Sequence, residues 1–280
     1  IVTPGNPQLS WESTKTINLG LDFSVLNGRL SAGIDMYQKK TTDLLGLIYP
    51  NRLTGFPTGI VGNQGDITNK GIEVGLSSVN IRNKDFSWST NWNFAYNKSM
   101  VDKITVATIV TTGAQQVLAN VQEGYPAYTV FAYKYGGLDN TGAPQVVLAD
   151  GTVSKARLVT KPEDIVYMGT MQPVWNGGLM NNFQYKNFRL SANVIYNMGH
   201  VMRRQRDLTY GGQFRRNVSV DFLNRWKVAG DEARTNIPGY ITNTNPNAIA
   251  GTYVTEYFTQ GDVNVVSASF VKLRDITLFY

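Results

Sequence analysis

Few side chains in this sequence are suited to bond chemistry. It contains one histidine, His200, and no cysteine, so a nucleophilic or general-base site of either type would depend on one residue beside Gly199. A catalytic base needs a nucleophile or acid within hydrogen-bonding reach, and the run NMGH at 197–200 offers none. With one histidine and no cysteine, the sequence also lacks the ligands for a zinc site of the usual His and Cys type. We therefore expect no catalytic residue, no metal site, no cofactor and no enzyme activity.

Carboxylates occur mainly where the chain is expected to turn. DNTG at 139–142 and DGT at 150–152 place an aspartate at the start of a tight turn, where its side chain can accept from the following backbone. Calcium loops also use such residues, but these lack the EF-hand spacing and its bidentate glutamate. Glu163 and Asp164 follow Pro162 and could form an acid/base pair, although a turn or short helix start is favoured.

Basic residues interleaved with aromatic ones form the first candidate binding surface. They are Arg203, Arg204, Arg206, Arg215, Arg216, Arg225 and Lys227, with Tyr210, Phe214 and Trp226. This mixture can bind nucleic acid, but at a membrane surface it would contact lipid phosphates or a partner protein. We favour partner or surface contacts, through Arg203, Arg204, Arg206, Arg215, Arg216 and Trp226, and expect no nucleic acid.

Aromatic residues in long connections form the second candidate. The residues proposed for ligand contact are Tyr49, Phe56, Tyr125, Tyr128, Tyr133 and Tyr167. Their rings could stack on sugars or peptide side chains in an external cavity, or they could pack the connections together. The sequence leaves both interpretations open.

The elements that must position these residues are β-strands. In the stretch 69–99, Ile72, Val74 and Leu76 alternate with polar or small residues, and after a short polar turn Trp92, Phe94 and others do the same. A period of two is typical of strands with one apolar and one polar face. Long strands with an aromatic apolar face and an Asn, Ser and Gly face suit a transmembrane barrel, with lipid outside and water inside. A soluble β-sandwich with the aromatic face turned inward remains the alternative.

Further hairpins repeat this pattern. Alternating runs at 11–25 and 30–40 flank Asn27-Gly28, a strong hairpin signal, and runs at 175–185 and 188–199 flank Lys186-Asn187. With the 69–99 hairpin and a last strand within 263–280, seven strands are predicted.

The predicted connections alternate strictly between short and long. Tight turns join each hairpin, whereas 41–68, 99–174 and 200–262 are long. Outer-membrane barrels segregate short periplasmic turns from long external loops in this way. Because single-chain bacterial barrels have even strand counts, seven strands indicate part of a barrel, with Tyr280 on the periplasmic side. The low share of charged residues, 16%, fits this class, and the net charge of +6 is spread along the chain.

Several segments, in order, resemble the C-terminal part of SusC/RagA-type TonB-dependent transporters. They are NPQLSWE at 6–12, LNGRL at 26–30, DMYQKKTTDLL at 35–45, NQGDITNKGIE at 63–73, GYP at 124–126, WKVAGDE at 226–232 and FVKLRDITL at 270–278. Ala229 stands where the family often has proline.

The resemblance implies that 1–280 is the C-terminal barrel portion of such a transporter, part of a barrel of about 22 strands. The plug domain and TonB box would lie before this stretch. It further implies an outer-membrane location in a Gram-negative bacterium, contact with lipopolysaccharide, a SusD-like lipoprotein partner, coupling to TonB, and import of oligosaccharides or peptides. A secreted glycan-binding module or enzyme, and a passive porin-like channel, are the competing functions.

Overall fold

The sheet that dominates the molecule is seen in a computed structural model, which describes residues 5–48, 59–105, 110–156, 159–205, 219–239 and 253–280. Seven strands form one antiparallel sheet in the order β1-β2-β3-β4-β10-β11-β14. Their bounds are β1 Ser13–Val25, β2 Leu30–Ile48, β3 Ile60–Arg82, β4 Phe86–Ile104, β10 Trp175–Tyr185, β11 Phe188–Met198 and β14 Phe270–Phe279. The all-β antiparallel class and the count of seven are thus confirmed for this sheet. The described sheet is open rather than closed into a barrel.

The tight turns lie where the sequence predicts them. Val25 pairs with Leu30, so a four-residue loop joins β1 to β2, and Leu26, Asn27 and Gly28 all adopt positive φ there. Lys186 also has positive φ (50°) between the paired ends of β10 and β11. Asparagine and glycine tolerate this left-handed region, which explains why the Asn-Gly pair identified the first hairpin.

The expected long connection at 41–68 is shorter than predicted. β2 continues to Ile48 and β3 begins at Ile60, so most of that range is strand. The pairing shifts register between Thr41 and Leu44, and Asp43 there has a φ of 57°. This irregularity interrupts the two-residue period, which is why the sequence pattern stopped early. β4 likewise runs beyond Ser99, to Ile104.

Most of the remaining elements form a loop layer, defined here as the described residues of 110–172, 201–205, 219–239 and 253–267. They are α1 Gly113–Leu118, β5 Thr129–Tyr133, β6 Tyr135–Leu138, β7 Pro144–Val147, β8 Val153–Ser154, β9 Ile165–Thr170, β12 Val201–Arg203, α2 Tyr253–Thr259 and β13 Val265–Ser267. Three small sheets, β5-β9, β6-β7-β8 and β12-β13, connect them. Within the long connection 99–174, β5 pairs with β9 and β6 pairs with β7.

The buried core sits in the loop layer rather than against the large sheet. Val117, Tyr133, Val146 and Tyr257 form one buried cluster. Ile237 and Phe258 form a second. By contrast, the large sheet leaves apolar side chains uncovered, with Leu19 71% exposed and Ile276 61% exposed. A soluble sandwich would bury this face, because leaving several such side chains in water costs about 1.5–3 kcal/mol each.

No helix in the described ranges is long and apolar enough to cross a membrane.

Candidate functional site

The large sheet has two chemically distinct faces, and the register assigns side chains to them. On one face, Leu76, Trp92, Leu179 and Val194 lie in one row across β3, β4, β10 and β11. We call this the apolar face. The opposite, polar face carries Ser77, Asn91, Gly75, Asn93, Gly178 and Asn193 in the neighbouring rows. A wall with these two faces separates a hydrocarbon medium from an aqueous one.

A shallow depression of about 370 Å³ lies on the polar face near the middle of the sheet. Gly75 and Gly178 form part of its floor, and Asn93 lies between them in the register. A side chain at Gly75 would meet nothing within 4 Å, so the missing side chain leaves real space above the backbone. The result is a broad, shallow groove whose lining combines polar side chains such as Asn93 with the apolar Met180 and Ile195.

Charge is distributed unevenly along this polar face. Asp35 lies opposite Glu73 on β2 and β3, and Asp22 lies one row away on β1. Lys272 and Arg274 lie at the other edge, on β14. Arg274 lines the depression and has no partner in the register, because the pairing of β11 with β14 shifts beside it. Asp275 lies next to Arg274 on β14 and accepts from the Asn193 side-chain amide at 3.3 Å, so this edge carries both signs of charge.

The loop layer is attached to the large sheet at the end away from the tight turns. Val101 on β4 donates its amide to the Tyr125 carbonyl at 2.9 Å, and the Ser99 hydroxyl accepts from the Ala127 amide at 3.2 Å. Ser99 pairs with Asn69 on the polar face. These contacts hold 124–127 at the end of the wall where the polar face opens.

Two of the proposed ligand aromatics, Tyr125 and Tyr167, meet at this attachment, and Tyr128 follows Tyr125 by three residues in the chain. The Tyr125 ring lies 5.1 Å from both the Phe131 and the Tyr167 rings. Tyr167 remains 43% exposed and Tyr128 51% exposed, so both present ring surface to solvent. Burial raises the pKa of the Tyr167 hydroxyl, which stays neutral and can donate a hydrogen bond. We call Tyr125, Tyr128 and Tyr167 the aromatic patch.

Tyr133 has a different environment from the aromatic patch. It is 2% exposed, and its ring lies 4.9 Å from that of Tyr257 in an edge-to-face contact. Burial, with the nearby Tyr257 and Glu256, raises the pKa of its hydroxyl to about 12. For this residue the geometry favours the alternative in which the aromatic ring packs the loops together. Tyr49 and Phe56 lie outside the described residues.

The basic candidates do not form one surface in the described part of the chain. Arg203 is half-buried and donates to the Phe131 carbonyl, and burial lowers the pKa of its guanidinium. Arg204 is exposed. Trp226 donates its indole N–H to Glu232 Oε2 at 3.0 Å and packs against Gly142. Arg203 and Trp226 thus organise the loop layer, while Arg206, Arg215 and Arg216 lie outside the described residues.

The predicted aspartate turns are present. Asp139 Oδ1 accepts from the Thr141 amide at 2.8 Å and the Ala143 amide at 2.9 Å, and Oδ2 pairs with Lys155. Asp150 accepts from the Thr152 amide at 2.8 Å in the same manner. Within the described ranges no group of three or more acidic or histidine side chains is arranged to hold a metal ion.

Sequence reasoning missed Gly75, Gly178 and Arg274 as parts of the groove. The alternation did assign the two glycines to the polar side of their strands, so a signal existed. The two glycines lie in one row, on either side of Asn93, because of the register between β3, β4 and β10, which joins residues about a hundred positions apart in the chain. The register shift that leaves Arg274 without a partner on β11 cannot be recognised from the alternation of apolar and polar residues.

Comparison with known proteins also indicates a β-barrel wall. Residues 1–155 match the family model described as TonB dependent receptor-like, beta-barrel. The chain is 28% identical to the TonB-dependent receptor SusC of Bacteroides thetaiotaomicron over 98% of its own length and 26% of that protein. It is 33% identical to the TonB-dependent receptor P39 of Formosa agariphila, covering 99% of this chain and 30% of that one.

Solved structures extend the likeness to three dimensions. A structure of the RagAB peptide transporter matches with a TM-score of 0.76 and 26% identity, over 99% of this chain and 30% of that one. A structure of the RagAB peptide importer in its closed-closed state gives the same TM-score at 25% identity, again over 30% of that chain. The chain therefore spans between a quarter and a third of the length of these relatives.

Proposed function

The chain belongs to the TonB-dependent receptor-like β-barrel family and is of the SusC/RagA type, and from this premise we propose that it forms part of the wall of an outer-membrane importer. Residues 1–280 would be the C-terminal portion of the barrel. The plug domain and TonB box would be contributed by other parts of the full-length protein. The SusC/RagA type resides in the outer membrane of Gram-negative bacteria, and we assign this protein to the same location.

The observation that carries the proposal is that apolar side chains at both edges of the large sheet lie exposed on one face. Leu19, Leu21, Ile276 and Leu278 are each at least 60% exposed, and they lie on the same face of β1 and β14, the two edge strands of the described sheet. Lipid covers such a face at no cost in unpaired polar groups, because the backbone is hydrogen-bonded between strands. The polar face then borders an aqueous passage.

The transport role assigned to this wall involves no bond chemistry. Asn91, Asn93 and Asn193 offer hydrogen bonds to a passing solute, and Gly75 provides the space. At the entrance, the aromatic patch would contact the solute before it reaches the groove. The SusC/RagA type implies an oligosaccharide or a peptide as substrate, and aromatic rings of this kind can contact sugar rings and peptide side chains alike.

The partners follow from the same assignment. A SusD-like surface lipoprotein would cover the loop layer and deliver the substrate, with Arg204 and the basic residues of 206–216 among its contacts. TonB would supply energy through the part of the protein that carries the plug. Lipopolysaccharide would surround the outer end of the wall.

The test is extraction of the native full-length protein in detergent, followed by mass spectrometry of what accompanies it. A stoichiometric surface lipoprotein with a bound oligosaccharide or peptide is the expected result, and it would identify the substrate class. A membrane protein recovered alone that passes solutes without TonB would instead support a passive channel. Recovery as a soluble monomer without detergent would refute the membrane assignment and favour a secreted β-module.

A further inference from the structure

Four neighbouring strands end their apolar run in the same way. On the apolar face of each strand, all side chains from the tight-turn end onward are uncharged up to a lysine, which is the first charged residue. These residues are Lys15 on β1, Lys40 on β2, Lys70 on β3 and Lys98 on β4. We call them the lysine belt. It lies at the end of the sheet that carries the loop layer.

The register brings these lysines together in pairs. Lys15 lies directly opposite Lys40, and Lys70 lies directly opposite Lys98. Like charges in directly opposed positions destabilise a sheet, by repulsion across about 5 Å between Cβ atoms. Two such pairs on adjacent hairpins therefore concentrate positive charge, and a bound anion would reduce the repulsion between the lysines.

The described residues supply no anion for the belt. All four lysines are exposed, and neither of the two ion pairs found among the described residues, Lys155–Asp139 and Lys161–Glu163, involves them. Asp102, further along β4, accepts a hydrogen bond from Thr68 instead. The belt lysines thus form no ion pair within the described residues and are available to an anion from another molecule.

The belt is confined to one part of the wall. On β10, β11 and β14 the apolar face carries no charged side chain. At the opposite end of the sheet, Lys84 and Lys186 belong to the tight turns and are not aligned across strands. A general preference of lysine for membrane borders would not produce this restriction to four adjacent strands at one end.

We propose that the lysine belt is a binding site for the phosphorylated headgroup of an outer-leaflet lipid. Beneath the belt the surface is continuous and apolar, with Ile17, Ile72 and Tyr96 each two residues nearer the tight turns than a belt lysine. The phosphates would lie between the lysine ammonium groups, and the acyl chains would lie along these side chains. This continuity favours an amphiphile over free phosphate. The inference rests on the proposed membrane location.

The experiment measures lipid bound to full-length protein purified in mild detergent. The double variants Lys15→Gln/Lys40→Gln and Lys70→Gln/Lys98→Gln are compared with Lys84→Gln/Lys186→Gln, which removes the same charge at the opposite end. The probe is lipid A, added with its phosphates or after dephosphorylation, and binding is read by native mass spectrometry. Circular dichroism checks that each variant retains its β-structure.

We expect each belt pair to weaken binding of phosphorylated lipid A roughly tenfold, whereas the control pair leaves it unchanged. Dephosphorylated lipid should bind weakly and equally to all three variants. Equal lipid binding by belt and control variants would overturn the proposal while leaving the importer function standing. Displacement of the lipid by inorganic phosphate at equal concentration would also overturn it, in favour of a free-phosphate site. Recovery of every variant from the aqueous fraction would instead refute the membrane assignment itself.

Discussion

Replacing Asp139 should loosen the part of the loop layer that holds Trp226. The Asp139 carboxylate accepts from two backbone amides and pairs with Lys155, closing the turn over 139–143. The Gly142 carbonyl of this turn accepts from the Gly239 amide at 3.0 Å. Gly142 also has a φ of 80°, and a Cβ there would lie 2.5 Å from the Trp226 ring, so the turn cannot shift without moving the indole.

The magnitude follows from the pKa of the Asp139 carboxyl. Burial raises this pKa, but the hydrogen bonds from Lys155, Thr141 and Ala143 outweigh it and lower it from 3.8 to about 2. At 1.36 kcal/mol per pKa unit this corresponds to roughly 2 kcal/mol in favour of the folded turn. Because the Lys155 side chain is 46% exposed, solvent screens the pair, and we expect a contribution of roughly 1–2 kcal/mol.

The assay is amide hydrogen exchange of the full-length protein, followed on peptides that contain 139–143. Asp139→Ala should speed exchange of the Thr141 and Ala143 amides roughly tenfold, since 1.4 kcal/mol is a factor of ten. Asp139→Asn keeps an acceptor oxygen but loses the charge, so a smaller increase is expected. Because the pKa is lowered in the folded state, the stabilisation is complete above about pH 5 and is lost as pH falls through about 2.

Asp150→Asn provides the matched control, in a neighbouring turn whose aspartate accepts from Thr152 and forms no ion pair among the described residues. It should leave exchange at 139–143 unchanged. Equal protection in Asp139→Ala and in the unmodified protein would refute the assignment of this carboxylate as the group that closes the turn.

Three further changes test the wall and its entrance. Asn181 Oδ1 accepts from the Trp88 indole at 2.9 Å on the apolar face, so Asn181→Leu should lower the free energy of unfolding in lipid vesicles by about 1–2 kcal/mol, measured by urea titration. Gly75→Phe places a ring above the groove where nothing lies within 4 Å, and it should reduce uptake without changing the amount of folded protein. Tyr128→Ala removes a ring that is 51% exposed and should weaken substrate binding about threefold to tenfold by calorimetry, whereas Tyr133→Phe should not.

Each of these has its own control. Combining Asn181→Leu with Trp88→Phe and Thr90→Val removes the donors as well, and stability should then return toward that of the unmodified protein. Gly5→Phe, where a Cβ also meets nothing within 4 Å, should leave uptake intact. Unaltered uptake in Gly75→Phe, or unaltered binding in Tyr128→Ala, would remove the groove or the aromatic patch from the transport path.

The strands of the large sheet could be predicted because their signal is local. Alternation over ten residues assigns each side chain to a face, and Asn27-Gly28 marks a turn, without knowledge of any other segment. For this reason the seven strands, the tight turns and the all-β class are confirmed. The same method failed at 41–48 and 60–68, where a bulge at Asp43 interrupts the period although the strands continue.

The candidate site was less accessible to sequence reasoning because it depends on contacts between distant residues. Tyr128, Tyr133 and Tyr167 are alike in sequence, as aromatic residues in one long connection. Packing separates them, since Tyr133 is 2% exposed and Tyr128 is 51% exposed. Burial is a property of all the neighbours together, and no local pattern encodes it.

The sequence by itself determined the family, the strands and the two chemistries of their faces, because each is carried by residue types at short, regular spacing. Only the tertiary structure decided which residues share a row. It placed Lys15 opposite Lys40, Lys70 opposite Lys98, and Gly75 and Gly178 on one groove floor. The physical reason is strand register. A shift of one residue in the register would move every side chain of a strand to the other face, and the register is set cooperatively along whole strands.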